Sequence, residues 1–490
     1  METDKLIVAI ELGSSKISGV AGQRLFDGTL KVMAYASTPS ASCIRHGAVY
    51  NVDRTANAIA EVISRLESML SAKIERVFIG YNSKSLKSVI TEVEREFDDE
   101  TVVSQQIVDE MFEECEGMGR QGYANLFQES LEYVVDDMSG TEQEPMGIAC
   151  RKLKGRYLNI LLKQQIAEYM AHCFNMAQVS LEDGYVTPMV QADAALSEDE
   201  RQQGCAFVDY GADTTTVSVY KGGQLRWLRV IPLGSSLITR DLAQVLKIEM
   251  EQAENLKCAY GLCAYVDGQD LSENVPVQGK RVALKDISEI IEARNEEIVR
   301  NVSAQIHASG LYDMLYAGIV LTGGGSKLRQ LDRVFLKIMP ELKTPRFVSA
   351  PICGVSWNEP MWRRDDGSQL ALLSVMAKGN SNCCQYKSMD ALETMEPEQQ
   401  LNMMQGSLFD EEGNSAQEKR DREEAIRREE AARQAAAQEN AKAEEPQEPA
   451  GGKKKVNFLK KFLKSIMDKG EEFFESESDQ DSENTKTSEQ

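Results

Sequence analysis

The chain has 490 residues, a formal net charge of -23 at pH 7 and 42% hydrophobic residues. That length suits roughly two to four domains, and the acidic balance excludes a body that grips nucleic acid through its phosphates. The 10 cysteines include no CxxC pair, and the 3 histidines (His46, His172 and His307) lie at no ligand spacing from one another. The cysteines therefore read as reduced thiols in a cytosolic protein. The opening METDKLIVAIELG lacks a secretory pattern, and no apolar run approaches the ~20 residues of a spanning helix. The expectation is a protein neither secreted nor transmembrane.

KLIVAIEL, from Lys5, is a β-branched apolar run that predicts a buried strand. KISGVAGQ and GTLKVMAYAST predict two more. TANAIAEVISRLESML places Ala56, Ile59, Val62, Ile63 and Leu66 on one helical face. KIERVFIGYN is another strand, so the opening reads as an α/β layered domain. From about Ser85 to Leu162 the pattern changes to a helix, VSQQIVDEMFEECEGM, surrounded by strands LEYVVD, GIACRKLKG and YLNILLK. This reads as a separate small α/β insert. AEYMAHCFNMAQV then resumes the helical pattern.

GCAFVDYGADTTTVSVYKGGQLRWLRVIPLG repeats the logic of the opening. In both IVAIELGSSKISGV and AFVDYGADTTTVSV, an apolar strand ends in an acid, a spacer and a glycine, and small polar residues lead into a second strand. Helices are predicted at LITRDLAQVL, EQAENLKCAY and ISEIIEARNEEIVRNVSAQIHASG, and AGIVLTGGGSKL is a strand entering a glycine-rich turn and a helix. The folded part is expected to end near Ala377. Residues 381–452 are a polar spacer, rich in Glu, Gln, Ala and Arg without an apolar face. In VNFLKKFLKSIM, within residues 453–470, Val456, Leu459, Phe462, Leu463 and Ile466 form a narrow apolar stripe flanked by Lys460, Lys461 and Lys464. That is the pattern of a helix lying in a membrane interface, and each lysine adds about 1 kcal/mol at an anionic surface. Docking on the chain's own body or in a partner's groove is the alternative. An acidic tail, 471–490, follows.

Glu11 to Lys16, ELGSSK, follow a strand with a glycine turn that exposes the N–H groups of Ser14 and Ser15. Such a turn can hold a phosphate, and Lys16 adds a positive charge; an ordinary hairpin turn is the plain alternative. DYGADTT, Asp209 to Thr215, offers a second acid–x–Gly turn. Two such hairpins face to face would clamp a polyphosphate, with Glu11 and Asp209 reaching a hydrated Mg²⁺. Gly323, Gly324 and Gly325 allow close approach of backbone to a ligand, but the loop lacks the GKS or GKT of a Walker A motif. Glu254 and Lys257 lie one helical turn apart, which a surface ion pair also explains.

The order of these motifs resembles the actin, sugar-kinase and heat-shock-chaperone superfamily of ATP-binding proteins, and within it the FtsA family of bacterial actin-like cell-division proteins. IVAIELGSSKISG, LSEDERQQGCAFVDYGADTT, VIPLGSSLITRDLA, AENLKCAYG, ISEIIEARNEEI and AGIVLTGGGSKL follow in that family's order over roughly residues 5–378. The resemblance implies a two-lobed, ribonuclease H-like α/β fold. Lobe I would comprise 1–84, 163–200 and 321–380, and lobe II 201–320. The family's extra subdomain would lie at 85–162, followed by the linker 381–452 and the membrane helix 453–470.

It also implies ATP with Mg²⁺ in the cleft. Gly13, Ser14, Ser15, Lys16, Gly211, Asp213 and Thr214 would hold phosphates, and Gly234 would also belong to the cofactor site. Asp209 would face the metal with Glu11, through water. Glu254 and Lys257 would flank the nucleoside, and Gly323, Gly324 and Gly325 the adenosine. Glu11 departs from the family's usual Asp by one methylene, and GAD carries less glycine than the family's second loop. Thr187 and Gln191, in VTPMVQADAAL, are the candidates to orient water, so hydrolysis is expected to be slow at most.

Implied partners are the C-terminal peptide of the tubulin-like FtsZ, further copies in an actin-like filament, anionic lipids and later division proteins. The implied location is peripheral, on the cytoplasmic side of the cell membrane at the division septum. Arg294 and Glu297 would lie on the FtsZ surface. A small-molecule kinase, a chaperone ATPase, or a pilus-assembly or shape-determining protein are alternatives on the same fold. No acceptor-site carboxylate or peptide-binding domain is evident for the first two.

Overall fold

The computed structural model describes residues 5–137, 140–264, 274–277 and 280–386. β1 (Ile7–Leu12), β2 (Lys16–Arg24) and β3 (Leu30–Pro39) form an antiparallel meander. β1 is apolar on both faces because helices cover the sheet, so alternation is absent from its sequence. A short hairpin, β4 (Ile44–Arg45) and β5 (Ala48–Val49), turns through His46 and Gly47, both left-handed. α1 (Val52–Leu70) starts at Asn51, whose side chain accepts from the Arg54 N–H. All five residues of its predicted face are buried. Removing one such side chain, as in Leu66→Ala, costs about 2–5 kcal/mol. β6 (Ala72–Ile74) leads to β7 (Arg76–Tyr81), which lies parallel to β1.

The segment after β7 differs from its sequence reading. β8 (Lys87–Val102) is a 16-residue strand where none was predicted. α2 (Gln105–Gly117) follows, then β9 (Tyr123–Val135). The two runs GIACRKLKG and YLNILLK are one strand, β10 (Ala149–Lys163). β10 lies between β8 and β9, all antiparallel. The outer half has its own small core around Met111, Leu153 and Tyr157, while Leu158, Ile160 and Leu162 join the main core of lobe I. β8 also pairs with lobe II, Lys87 opposite Arg229. The insert thus continues a larger sheet rather than standing apart.

α3 (Gln164–Met176) returns to lobe I, where β11 (Ser180–Val186) pairs with β7 and precedes α4 (Thr187–Ala195). α5 (Glu198–Gln203), closed by a Ser197–Glu200 capping box, leads into lobe II. β12 (Cys205–Tyr210), β13 (Thr215–Lys221) and β14 (Gln224–Ile231) repeat the opening meander. Glu11 faces Ser18 across the first hairpin as Asp209 faces Thr216 across the second. α6 (Ser236–Leu246), α7 (Met250–Tyr260), the hairpin β15 (Asn274–Val277) and β16 (Lys280–Ala283), and α8 (Leu284–Ala308) follow. β17 (Gly318–Thr322) lies parallel to β12. α9 (Leu331–Ile338) and β18 (Arg346–Phe347) complete lobe II.

β19 (Val355–Trp357) and α10 (Leu370–Lys378) belong to lobe I, α10 packing on α4, β1 and β2. The strand orders are β11-β7-β1-β2-β3-β19 and β18-β17-β12-β13-β14-β8-β10-β9. The chain does not leave the fold near Ala377. β20 (Cys384–Tyr386) pairs with β6, and Cys383 and Cys384 are buried, so the first residues assigned to the spacer close lobe I. The remaining spacer, the helix expected at 453–470 and the tail at 471–490 lie outside the described residues.

Candidate functional site

The two meanders bring their acid–x–Gly turns to one cavity of about 790 Å³, walled also by α7 and the loop after β17. In the first turn, a Cβ on Gly13 would lie 2.7 Å from the Lys16 carbonyl, so only glycine fits without a shift. The Gly13 carbonyl accepts from Ser40 Oγ at 2.5 Å. Ser14 Oγ accepts from the Gly47 N–H at 3.1 Å. Lys16 Nζ lies 3.5 Å from the Tyr35 hydroxyl. In the second turn, the Gly211 N–H donates to the Thr214 carbonyl at 2.9 Å. Ser236 Oγ donates to Asp213 Oδ1 at 2.6 Å. The Ser235 and Ser236 N–H groups, at the start of α6, donate to the Gly211 and Ala212 carbonyls.

Glu11 and Asp209 end the two central strands and line the same cavity. Burial, the Asp209 charge beside it and a smaller opposing pull from Lys16 leave the Glu11 carboxyl pushed up to about 7. Burial also raises Asp209, against a hydrogen bond from Gln191. Two buried carboxyls in one cleft, the charge of Asp209 raising Glu11, form a site that a cation would relieve. Among the described residues, no group of three or more His, Cys, Asp or Glu is placed to hold a metal ion. Gln191 Nε2 donates to Asp209 Oδ2 at 3.1 Å, whereas Gln191 Oε1 and Thr187 Oγ1 are buried without a hydrogen-bond partner among the described residues. Both residues line the cavity.

On the opposite wall, Lys257 Nζ donates to Glu254 at 2.7 Å, to Thr239 Oγ1 at 2.9 Å and to the Ser235 carbonyl at 3.3 Å. Lys257 is buried, so the pair is more than a surface contact and ties α7 to α6. Burial pushes Glu254 up, but bonds from Lys257 and Thr239 outweigh it and hold the carboxyl below its ordinary range. Gly323 has φ 86°, and a Cβ there would sit 2.4 Å from Asp209 Oδ1. Gly324 and Gly325 follow it along the wall.

Every candidate cofactor or metal residue named from the sequence lines this cavity except Gly234. Gly234 lies behind the wall, where a Cβ would come within 2.2 Å of the Ala212 carbonyl. Its role is to let the second turn pack on α6. Sequence reasoning missed Asn82, Ser236, Asp366 and Ser368, which also line the cavity. None carries a local pattern, although a DDGS run with Gly367 at φ 76° is a turn signal. Arg294 binds Asp241 through Nε at 2.6 Å and Nη2 at 3.1 Å, and also Glu297. It therefore fastens α8 to α6. The membrane candidates Val456, Leu459, Lys460, Lys461, Phe462, Leu463, Lys464 and Ile466 lie outside the described residues. Among the described residues, no helix is long and apolar enough to cross a membrane.

A family model described as "Cell division protein FtsA" matches residues 206–361. Cell division protein FtsA of Neisseria meningitidis is 28% identical over 373 residues, covering 71% of this chain and 89% of its own length. The Pseudomonas aeruginosa protein of that name is 26% identical over 339 residues, covering 67% and 79%. The chain is thus similar to cell division protein FtsA over about two thirds of its length. A solved chain of a PilM-PilN type IV pilus biogenesis complex shares the fold, with a TM-score of 0.53 at 14% identity, covering 76% of this chain and 97% of that one. The fold is therefore the actin-like one expected from the motif order.

Proposed function

We propose that this chain is an FtsA-type protein that binds ATP with Mg²⁺ in the cleft and ties FtsZ filaments to the inner face of the membrane at the division septum. The observation that carries the nucleotide reading is the convergence of Glu11–Lys16, Asp209–Thr214, Glu254/Lys257 and Gly323–Gly325 on one cavity. Backbone N–H groups of the two glycine turns, with Lys16, would hold the phosphates. Glu254 and Gly323–Gly325 would border the nucleoside. A hydrated Mg²⁺ bridged to Glu11 and Asp209 would offset charge on the phosphates. The unpartnered Oε1 of Gln191 would accept a hydrogen bond from a water. Gln191 orients water but is itself no base, and hydrolysis would be slow at most.

The lysine-flanked stripe at Val456–Ile466 would attach the acidic body to lipid at one point. One such helix binds weakly, so an actin-like filament of this chain, or FtsZ, would strengthen attachment by avidity. The FtsZ peptide would meet α8 near Arg294 and Glu297, which pair with each other there. Later division proteins would join the assembled form.

The test is co-sedimentation with anionic vesicles, comparing the full chain with one ending at Gly452, with and without ATP–Mg²⁺. Pelleting of the intact protein alone supports the tether. If both remain in solution under every condition, the tethering role fails.

A further inference from the structure

The cleft is crossed by a contact that none of the phosphate-loop residues makes by itself. His46 stands at the β4–β5 turn with φ 49°, followed by Gly47 with φ 71°. The turn is held in this left-handed form from behind. A Cβ on Gly47 would lie 1.9 Å from the Asn82 carbonyl oxygen, and the His46 carbonyl accepts from the Lys84 N–H at 3.0 Å. So fixed, the turn reaches both phosphate loops. The Gly47 N–H donates to Ser14 Oγ in the first loop at 3.1 Å. His46 Nδ1 lies 3.1 Å from the Asp213 carbonyl oxygen in the second. A carbonyl only accepts, so Nδ1 is the nitrogen that carries the proton. Asp213 is itself anchored to α6 through Ser236 Oγ. The result is a continuous chain from α6 through Asp213, His46 and Gly47 to Ser14.

We propose that His46 is a positioning residue that clasps the two phosphate loops together, so that affinity for a polyphosphate, but not for a nucleoside, depends on its Nδ1–H. This rests on the reading that the cleft holds a nucleotide. The contact is suited to the task. It joins the main chain of one loop to a hydroxyl of the other, where the separation between loops decides whether both can touch the same phosphates. Among the described residues it makes no hydrogen bond to the α7 wall, where the nucleoside would lie.

The substitutions that test this must respect the backbone. At a positive φ, Asn, Asp and Gly are tolerated whereas most residues are strained. H46N offers an amide N–H near the place of Nδ1. H46D has similar shape but only accepts, and H46G has no side chain. ATP–Mg²⁺ and adenosine affinities would be measured by calorimetry on the full chain, with melting temperatures recorded for each variant. Loss of one such hydrogen bond predicts a fall of about five- to tenfold in ATP affinity for H46D and H46G. Adenosine affinity is unchanged in both, and H46N stays within about twofold of wild type for ATP. The proposal is overturned if H46D and H46G bind ATP as the wild type does, if ATP and adenosine affinity fall together, or if H46N fails with the others. Wild-type protein that binds neither ligand overturns the nucleotide reading first, and the clasp with it.

Discussion

Gln191, on α4, donates from Nε2 to Asp209 Oδ2 at the end of β12, 3.1 Å away and 18 residues along the chain. The bond joins lobe I to lobe II on the cavity wall, and it fixes which end of the amide faces the carboxylate. The other end, Oε1, is left buried without a partner among the described residues. A buried unpaired carbonyl oxygen costs about 1–3 kcal/mol, which a water in the cleft would recover.

From this arrangement, Q191A is expected to keep ATP binding within about threefold and to slow single-turnover hydrolysis of bound ATP at least about tenfold, since one oriented polar group typically contributes that or more. Quench-flow on saturated enzyme separates the two effects. Equal hydrolysis rates in the two proteins would remove Gln191 from the chemistry and leave it a purely structural link.

Glu11 gives a pH signature. Its carboxyl is raised from an ordinary value near 4.5 to about 7, first by burial and then by Asp209. Between these values the folded chain holds a proton that the unfolded chain has released. Stability therefore falls as pH rises through that window, and the full contribution is present only below it. E11Q removes the group. In nucleotide-free protein, the melting temperature of E11Q should match wild type near pH 4.5 and exceed it by several degrees near pH 8. A difference that does not change with pH would refute the assignment.

Much of this was legible in the sequence, for identifiable reasons. The buried face of α1 and the apolar run of β1 are both periodic signals strong enough to survive tertiary context. β8 was not legible. Its sequence KSVITEVEREFDDETV carries alternating charges on a largely solvated strand. Pairing with β10 and ion pairs such as Lys154–Glu92 at 2.6 Å hold it instead. β20 was hidden because three residues have no period at all. In the site, acid–x–Gly turns announce themselves by composition, whereas His46 meets Asp213 across 167 residues and nothing local marks it.

At Gly323, as at Gly47, the backbone conformation and the space both demand glycine. It combines φ 86° with a Cβ position 2.4 Å from Asp209 Oδ1 and 2.6 Å from the Tyr210 carbonyl. G323A should destabilise the protein by about 1–3 kcal/mol in urea unfolding and displace the Asp209 carboxylate, weakening ATP–Mg²⁺ binding more than adenosine binding. G324A is the control, since its Cβ would meet nothing closer than Ser368 Cβ at 3.9 Å. Equal losses in the two variants would mean that crowding at Asp209 is not the cause.

The Lys257–Glu254 pair is asymmetric, and the asymmetry is measurable. Lys257 has 8% of its side chain exposed and Glu254 48%. Truncating the lysine takes a donor from the Ser235 carbonyl, the Thr239 hydroxyl and the carboxylate at once, although Thr239 still donates to Glu254, whereas removing Glu254 leaves Lys257 with two acceptors. K257M should therefore cost about 1–3 kcal/mol, and Glu254→Ala distinctly less. The effect extends to the second phosphate loop. Ser235 accepts from Lys257 through its carbonyl and donates through its N–H to the Gly211 carbonyl, so one residue links the two. K257M should accordingly weaken ATP binding more than Glu254→Ala does, and protect the Gly211–Thr214 amides less from hydrogen exchange. If the two variants lose the same stability and the same affinity, the pair acts as a simple ion pair and the route through Ser235 carries nothing.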